Sequence, residues 1–451
     1  MMESTKTLAD WDRKYLWHPF TQMKDWLEDE PIVIERGDGN YLIDTDGKRY
    51  LDGVSSLWCN VHGHRKKELD DALKEQCDRI AHSTMLGLAN VPATVLAKRL
   101  IELAPDSLQR VFYSDAGATA VEVGLKLALQ YWSLSGQEHR NQFVSLAEAY
   151  HGDTLGAVGV GYSETFHRFY RPVLRPSHQI RPPHHFRWIE RQDPATALES
   201  AIADAERVLA SCGATTAAII VEPLMQGAAG MWAQPSGYLP ALQRLAREHG
   251  TLLICDEVAT GFGRTGEMFA VEHENIRPDI MCLGKGITGG YLPLAATLIS
   301  ETIFERFLAP HESFQAFFHG HTYTGNPLAS AVALANLDLF ESERVIERAR
   351  QRSRQLTAQL AQHIAPLEHV GDIRQRGLMV GIELVRNREH RTAYETADRI
   401  GLRVITEARK RGVIIRPLGD VLILMPPLSI EASELEHLVC VTADAIQHAI
   451  Q

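Results

Sequence analysis

The sequence predicts an α/β protein with a mostly parallel central sheet, flanked by helices, and a second, smaller α/β domain. Three observations predict it. Between residues 68 and 325, apolar runs, small-residue turns and amphipathic stretches repeat in the order strand, turn, helix. Two of those runs, Leu252-Leu253-Ile254-Cys255 and residues 279–283, are too short for ordinary helices and stop on Asp256-Glu257 and Gly284-Lys285-Gly286. Beyond residue 326, a long helical stretch gives way to alternating strands and helices. With 451 residues, too many for one small core, the chain divides into an N-terminal arm and meander (1–67), a large domain (68–325) and a C-terminal small domain (326–451).

The arm carries the aromatic-rich run Trp17-His18-Pro19-Phe20-Thr21-Gln22-Met23. Short strands at 31–35, 41–44 and 50–51 follow, separated by the turn clusters Gly37-Asp38-Gly39-Asn40 and Asp44-Thr45-Asp46-Gly47, which punctuate a small antiparallel meander. Residues 54–60 mix polar and aromatic side chains without a period, so Trp58 is either a wall of a binding site or core. A strand at 111–114, a small-residue turn at 115–119 and an amphipathic helix at 120–132 come next. Such a turn leaves helix N–H groups unpaired at the positive end of the dipole, which suits a phosphate. Strands at 143–146 and 217–221 lead to Tyr150-His151-Gly152-Asp153 and to Glu222. Five strands thus end near Gly117, Tyr150, Glu222, Asp256 and Lys285 on one sheet edge. Pro327 opens the helical stretch that runs with breaks to about residue 365. Strands at 378–384, 413–416 and 421–425 and helices at 392–411 and 431–450 complete the small domain. Arg416, at a strand end, is either an ion-pair partner or a clamp for a substrate carboxylate.

A formal charge of −11 would repel nucleic acid and anionic membranes, so neither is an expected partner. No apolar leader and no run of 18 apolar residues occurs, and the six cysteines are scattered without CxxC spacing, which points to a cytoplasmic protein. The paired histidines His62/His64, His184/His185 and His319/His321 lack a complete ligand set, and no metal is expected.

If the two apolar strands are parallel neighbours, Asp256 and Lys285 emerge together where open α/β sheets bind ligands. An amine for a Schiff base and an acid for a ring nitrogen are what pyridoxal phosphate needs. The Asp-Glu strand end also fits a P-loop ATPase, but GxxxxGK[ST] is missing. Gly261-Phe262-Gly263-Arg264-Thr265-Gly266 spells a dinucleotide fingerprint, yet it is displaced from its strand and opens no periodic helix. A capping Asp256 and a solvated Lys285 remain the plain alternative.

The motifs DEVATGFGRTG, GKGITGG, YHGDT, IIVEPLMQGAAG and HTYTGNP, spread over nearly the whole chain, resemble the class III (subgroup II) pyridoxal-phosphate aminotransferases of fold type I. Within that family, WHPFTQM, VSSLWCNVHGH, VFYSDAGATAVEVGLKLALQYW and IIRPLGDVLILMPPL are similar to the branch of biotin synthesis that converts 8-amino-7-oxononanoate to 7,8-diaminononanoate. The resemblance implies Lys285 as the Schiff-base lysine, Asp256 as partner of the pyridine nitrogen and Tyr150 over the ring. It implies Gly117 and Ala118 at the phosphate, joined by His321 and Thr322 from a second subunit, hence a homodimer with sites at its interface. Gln226 would meet the ring hydroxyl, Phe20, Trp58 and Gly320 would line the substrate pocket, Arg416 would hold the substrate carboxylate and Arg264 would lie nearby. The best-known members use S-adenosylmethionine as donor and carry tyrosine where this chain has Phe20. Other stretches, among them FFHGHTYTGN and RPLGDV, are closer to a branch that uses lysine. The resemblance leaves S-adenosylmethionine as the default donor and lysine as the alternative. Another ω-amino-acid aminotransferase, an aminomutase or a silent binding protein of the same fold are the competing readings.

Overall fold

Three short antiparallel strands, β1 (Ile34–Asp38), β2 (Tyr41–Asp44) and β3 (Arg49–Asp52), follow the N-terminal helices in the computed structural model, which describes residues 3–187 and 193–450. The first strand starts later than expected because its pairing runs Ile34 to Asp44 and Asp38 to Tyr41, taking Gly37 and Asp38 into the ladder. The following strands are β4 (Arg110–Ser114), β5 (Gln142–Leu146), β6 (His178–Ile180), β7 (Thr216–Val221), the two-residue pair β8 (Met225–Gln226) and β9 (Trp232–Ala233), β10 (Leu252–Asp256), β11 (Ile280–Leu283) and β12 (Ala295–Ile299). Seven of them form the central sheet in the order β4-β12-β11-β10-β7-β5-β6. All are parallel except β12, which runs against both of its neighbours.

The sheet is apolar on both faces, as a parallel sheet under two helix layers must be. Ile219, Val221, Leu253 and Cys255 share a buried cluster with Leu239, Leu242 and Leu245 of the helix Tyr238–Glu248. The alternate residues Ala218, Ile220 and Ile254 pack instead with Ala120, Val121 and Ala128 of the helix Gly117–Leu134. Each fully buried aliphatic side chain contributes about 1.5–3 kcal/mol relative to exposure. Gly124 lets this second helix lie close: a Cβ there would stand 3.3 Å from the Ile280 side chain. The helix begins at Gly117, earlier than the expected residue 120, so the small residues read as a turn form its first turn.

The second sheet has the order β13-β14-β17-β16, from β13 (Val370–Arg376), β14 (Met379–Leu384), β16 (Arg416–Leu418) and β17 (Val421–Leu424). The single strand expected at 413–416 is divided. Its first part, β15 (Val413–Ile414), pairs in parallel with β3, tying the C-terminal segment to the N-terminal meander. Its continuation, β16, is an edge strand, where Pro417 with no N–H to donate is tolerated. The helix expected from 392 begins only at Ile400, because Arg399 takes a left-handed φ of 49°. Among the described residues, no helix is long and apolar enough to cross a membrane.

Candidate active site

Parallel pairing of β10 with β11 sets Ile254 beside Ile280 and Asp256 beside Cys282, so the chain turns into Lys285 just past the level of Asp256. Both side chains line one cavity of about 490 Å³, together with Trp58, Gly117, Ala118, Tyr150, His151, Glu222 and Thr260. A larger cavity, about 790 Å³, lies around Thr265, Glu274 and Arg376 and holds neither group. Lys285 is the first residue of a 3₁₀ turn, and its Nζ sits 5.2 Å from the centre of the Trp58 ring. Burial lowers the pKa of its ammonium, while the charges of Asp256 and Glu222 oppose that fall.

Asp256 is fixed on both oxygens. One accepts the Val258 N–H at 3.0 Å, and the other stands 2.6 Å from His151 Nδ1. Glu222, at the end of β7, accepts the N–H groups of Gly227 at 2.9 Å and Tyr150 at 3.2 Å. Burial raises its carboxyl to about 7, with Asp256 adding to the rise and His151 opposing it. The Tyr150 hydroxyl donates to Asp153 at 2.6 Å, and burial pushes its pKa up. Sequence reasoning gave no role to His151 or to the Glu222 carboxylate. The only local signal for either was its place just beyond a strand end.

The opposite wall can receive an anion. Gly117 and Ala118 open their helix behind Ala116, which has no side-chain oxygen to cap them. The approach is tight: a Cβ on Gly117 would stand 2.5 Å from Val258 Cγ1, and one on Gly152, at φ 116°, would stand 2.3 Å from the Ala118 Cβ. A cradle of helix N–H groups, an anchored carboxylate and a buried amine around one cavity match the phosphate, ring nitrogen and aldehyde of pyridoxal phosphate.

The structure places the other expected residues less uniformly. Trp58 is both wall and core: it lines the cavity and packs with Met225, Met231, Met379 and Met425. Arg416 is partly buried beside Tyr150, with no ion-pair partner among the described residues, and burial lowers its pKa. Arg264 does not line the cavity, although its charge reaches Lys285. It is buried and directs its guanidinium to the carbonyls of Pro426 and Asn60 and to the Ser55 hydroxyl, cross-linking the loop that carries Trp58. Gln226 does not line the cavity either, its amide nitrogen donating to the Ala147 carbonyl at 3.0 Å. Phe20 is exposed and meets Phe166 edge-on at 6.0 Å. Gly320 and Thr322 are exposed outside the cavity, and His321 Nδ1 stands 3.0 Å from the Asp115 carboxylate. One chain alone does not bring these three residues to the Lys285 cavity.

Comparison with known proteins agrees with this geometry. The model of the family described as aminotransferase class-III matches residues 23–450. An adenosylmethionine-8-amino-7-oxononanoate aminotransferase from Geobacter sulfurreducens is 51% identical over 96% of this chain and 96% of its own. The crystal structure of the enzyme of that name from Methanocaldococcus jannaschii superposes with a TM-score of 0.94 at 43% identity, covering 99% of each chain. An amine transaminase from an uncultivated Pseudomonas species, solved in its PLP-bound form, superposes with a TM-score of 0.90 at 38% identity, covering 96% of this chain and 98% of that one. A whole-length family match and relatives this similar leave one assignment: the chain belongs to the class-III aminotransferases and is a pyridoxal-phosphate-dependent transaminase.

Proposed function

We propose that this transaminase aminates 8-amino-7-oxononanoate to 7,8-diaminononanoate in biotin biosynthesis, with S-adenosylmethionine as the default donor and lysine as the alternative. The observation that carries the acceptor is the name borne by relatives that match over essentially the whole chain, such as the Geobacter enzyme. The Arg416 guanidinium beside Tyr150, without an ion-pair partner among the described residues, supports it, since a linear acceptor ending in a carboxylate needs such a clamp.

Pyridoxal phosphate, when bound, supplies an aldehyde that takes up amino groups and a protonated ring that draws off an electron pair. The residues divide the remaining work. The Asp256 carboxylate would hold the proton on the ring nitrogen, because a fixed anion raises the pKa of a neighbouring cation. Lys285 Nζ would hold the aldehyde and would serve as the base and acid that takes and returns the substrate's proton. Its burial favours the neutral amine that this role needs. Gly117 and Ala118 would bind the phosphate, Tyr150 would cover the ring, and Trp58 would exclude water from one wall.

The active unit in this reading is a homodimer. Phe318 (75% exposed) and Tyr323 (58%), on either side of Gly320–Thr322 in sequence, leave large apolar side chains in water, which supports a covering subunit there. His321 and Thr322 would then reach the partner's phosphate site. Unpaired cysteines support a cytoplasmic setting. The second reading, an ω-amine transaminase, is supported by the Pseudomonas amine transaminase, which superposes with a TM-score of 0.90 against 0.94 for the Methanocaldococcus enzyme.

The test is to supply 8-amino-7-oxononanoate with each donor separately and measure diaminononanoate by mass spectrometry. Product with S-adenosylmethionine supports the proposal in full, and product with lysine alone changes the donor. No product with either, together with turnover of simple ω-amines, overturns the acceptor.

A further inference from the structure

The turn that presents Lys285 is braced from outside it. Lys285 takes a left-handed φ of 43°, which a residue with a Cβ disfavours and surrounding structure must maintain. The next two carbonyls, of Gly286 and Ile287, both accept from the side-chain amide nitrogen of Asn336, each at 3.1 Å. Asn336 is fully buried on the helix Pro327–Ser342, 50 positions from Gly286. Carbonyls can only accept, so the amide nitrogen faces them and the amide oxygen is left for His62, whose Nε2 lies 2.9 Å away. That ring nitrogen therefore carries the hydrogen. Burial lowers the His62 imidazole to about 4, so the ring stays a neutral donor near neutral pH.

We propose that Asn336 and His62 are positioning residues for Lys285: the amide ties the Lys285 turn to the helix, His62 locks the amide's orientation, and together they set where Nζ stands in the cavity. This rests on the reading that Lys285 holds the cofactor and moves the substrate's proton. The packing leaves room for the contact. Gly289 ends the turn at φ 63°, and a Cβ on it would stand 3.0 Å from the Asn336 amide oxygen and 3.5 Å from His62 Cδ2. Phe340, from the same helix as Asn336, meets the His62 ring edge-on at 5.6 Å. The Val61 N–H donates to the Gly289 carbonyl at 3.3 Å, so the loop that brings Trp58 to Nζ joins the turn directly as well as through Asn336.

Four variants test the brace. Asn336→Ala removes both bonds to the turn. His62→Leu removes only the donor that orients the amide, and His62→Gln restores a donor, since its amide nitrogen can stand where Nε2 stands. Leu356→Ala, at a fully buried position on the helix Val345–Gln359, is the control for lost stability alone. Each protein is loaded with pyridoxal phosphate and given S-adenosylmethionine, or lysine where wild type does not consume the first. The change in the bound cofactor's visible absorption gives the single-turnover rate constant at saturating donor and the donor concentration that half-saturates it. Circular dichroism confirms folding.

Asn336→Ala is expected to lower the rate constant about tenfold or more, since a misplacement of about 1 Å at a reacting group costs on the order of a hundredfold. Half-saturation should stay within about twofold, because neither residue lines the cavity. His62→Leu should fall by about threefold to tenfold, the scale of one hydrogen bond, and His62→Gln should return to within about twofold of wild type. Leu356→Ala should melt lower yet react within about twofold of wild type. A wild-type rate in folded Asn336→Ala, a loss no larger than that of Leu356→Ala, or a His62→Gln no faster than His62→Leu overturns the proposal. If Asn336→Ala does not fold, the two His62 variants decide. Borohydride reduction of the loaded wild type separates the two readings: an adduct on a lysine other than Lys285 sinks the anchor and the brace with it, whereas an adduct on Lys285 with undiminished variant rates sinks the brace alone.

Discussion

Lys285 Nζ lies 5.2 Å from the centre of the Trp58 ring, so the reactive amine of this site rests on an aromatic face inside a buried cavity. Two effects on its pKa oppose each other there. The ring favours the ammonium by about 0.5–2 kcal/mol, or roughly one pKa unit. Burial favours the neutral amine and can amount to about 3–5 units for a fully buried group. Burial wins, and it is the leading cause of the lowered pKa. Trp58→Ala should therefore let water in and raise the pH midpoint for attachment of pyridoxal phosphate, despite the loss of the ring. The same change should cost about 3–5 kcal/mol of stability, because it also empties the methionine cluster around Trp58. Trp58→Phe should keep most of both. Attachment rates measured against pH check this, and an unmoved midpoint in the alanine variant would show that Trp58 does not keep Lys285 dry.

Arg416→Ala should weaken binding of 8-amino-7-oxononanoate by about 1.5–3 kcal/mol, the scale of a charge-assisted bond. The effect should appear in the acceptor's dissociation constant and leave that of the donor unchanged. Arg264→Ala should do the reverse. Its guanidinium serves Pro426, Asn60 and Ser55, so its loss should lower stability by about 2–4 kcal/mol through buried acceptors left unpaired. Titration calorimetry and thermal melts on both variants distinguish them. Unchanged acceptor affinity in Arg416→Ala would move the carboxylate site elsewhere.

The sheet edge was legible in the sequence because it depends on local pattern. The apolar runs ending at Asp256 and before Lys285 are fully buried parallel strands, and their pairing follows from that burial. Strand β12 was missed, since the short run Ala295–Ile299 follows a glycine-rich turn and gives no alternation once both its faces are buried. Strand β13 was missed for the opposite reason: at the edge of its sheet it is mixed in polarity, with only Val370 and Arg374 buried. The partners of Asp256 and Arg264 were out of reach in principle. His151 and Pro426 meet them across 105 and 162 positions, contacts that only the closed fold creates. Arg264 read as a loop arginine near the chemistry, and no local feature revealed that three buried acceptors already claim it.

Glu257 should make stability depend on pH. It is buried, accepts the Thr260 hydroxyl at 2.6 Å and the Val271 N–H at 2.8 Å, and burial raises its carboxyl to about 7 against those two bonds. A raised carboxyl pKa means that the folded state prefers the protonated form. Its stabilising contribution is complete below the ordinary value of 4.5 and is lost as pH rises through about 7. Glu257→Gln should therefore flatten the fall in melting temperature between pH 5 and pH 8, removing a dependence on the order of 3 kcal/mol. Parallel melts of variant and wild type check it, and identical slopes would mean that Glu257 is ionised at little cost in the fold.

The most direct test of the account is the position of the covalent link. Wild-type protein loaded with pyridoxal phosphate, reduced with borohydride and digested should carry the cofactor's mass on the peptide containing Lys285. Lys285→Ala should show no adduct there, no visible band of bound cofactor and no turnover, because no other lysine among the described residues lines this cavity. A reduced adduct at another lysine in the wild type, or full labelling and turnover in Lys285→Ala, would contradict the assignment of this site.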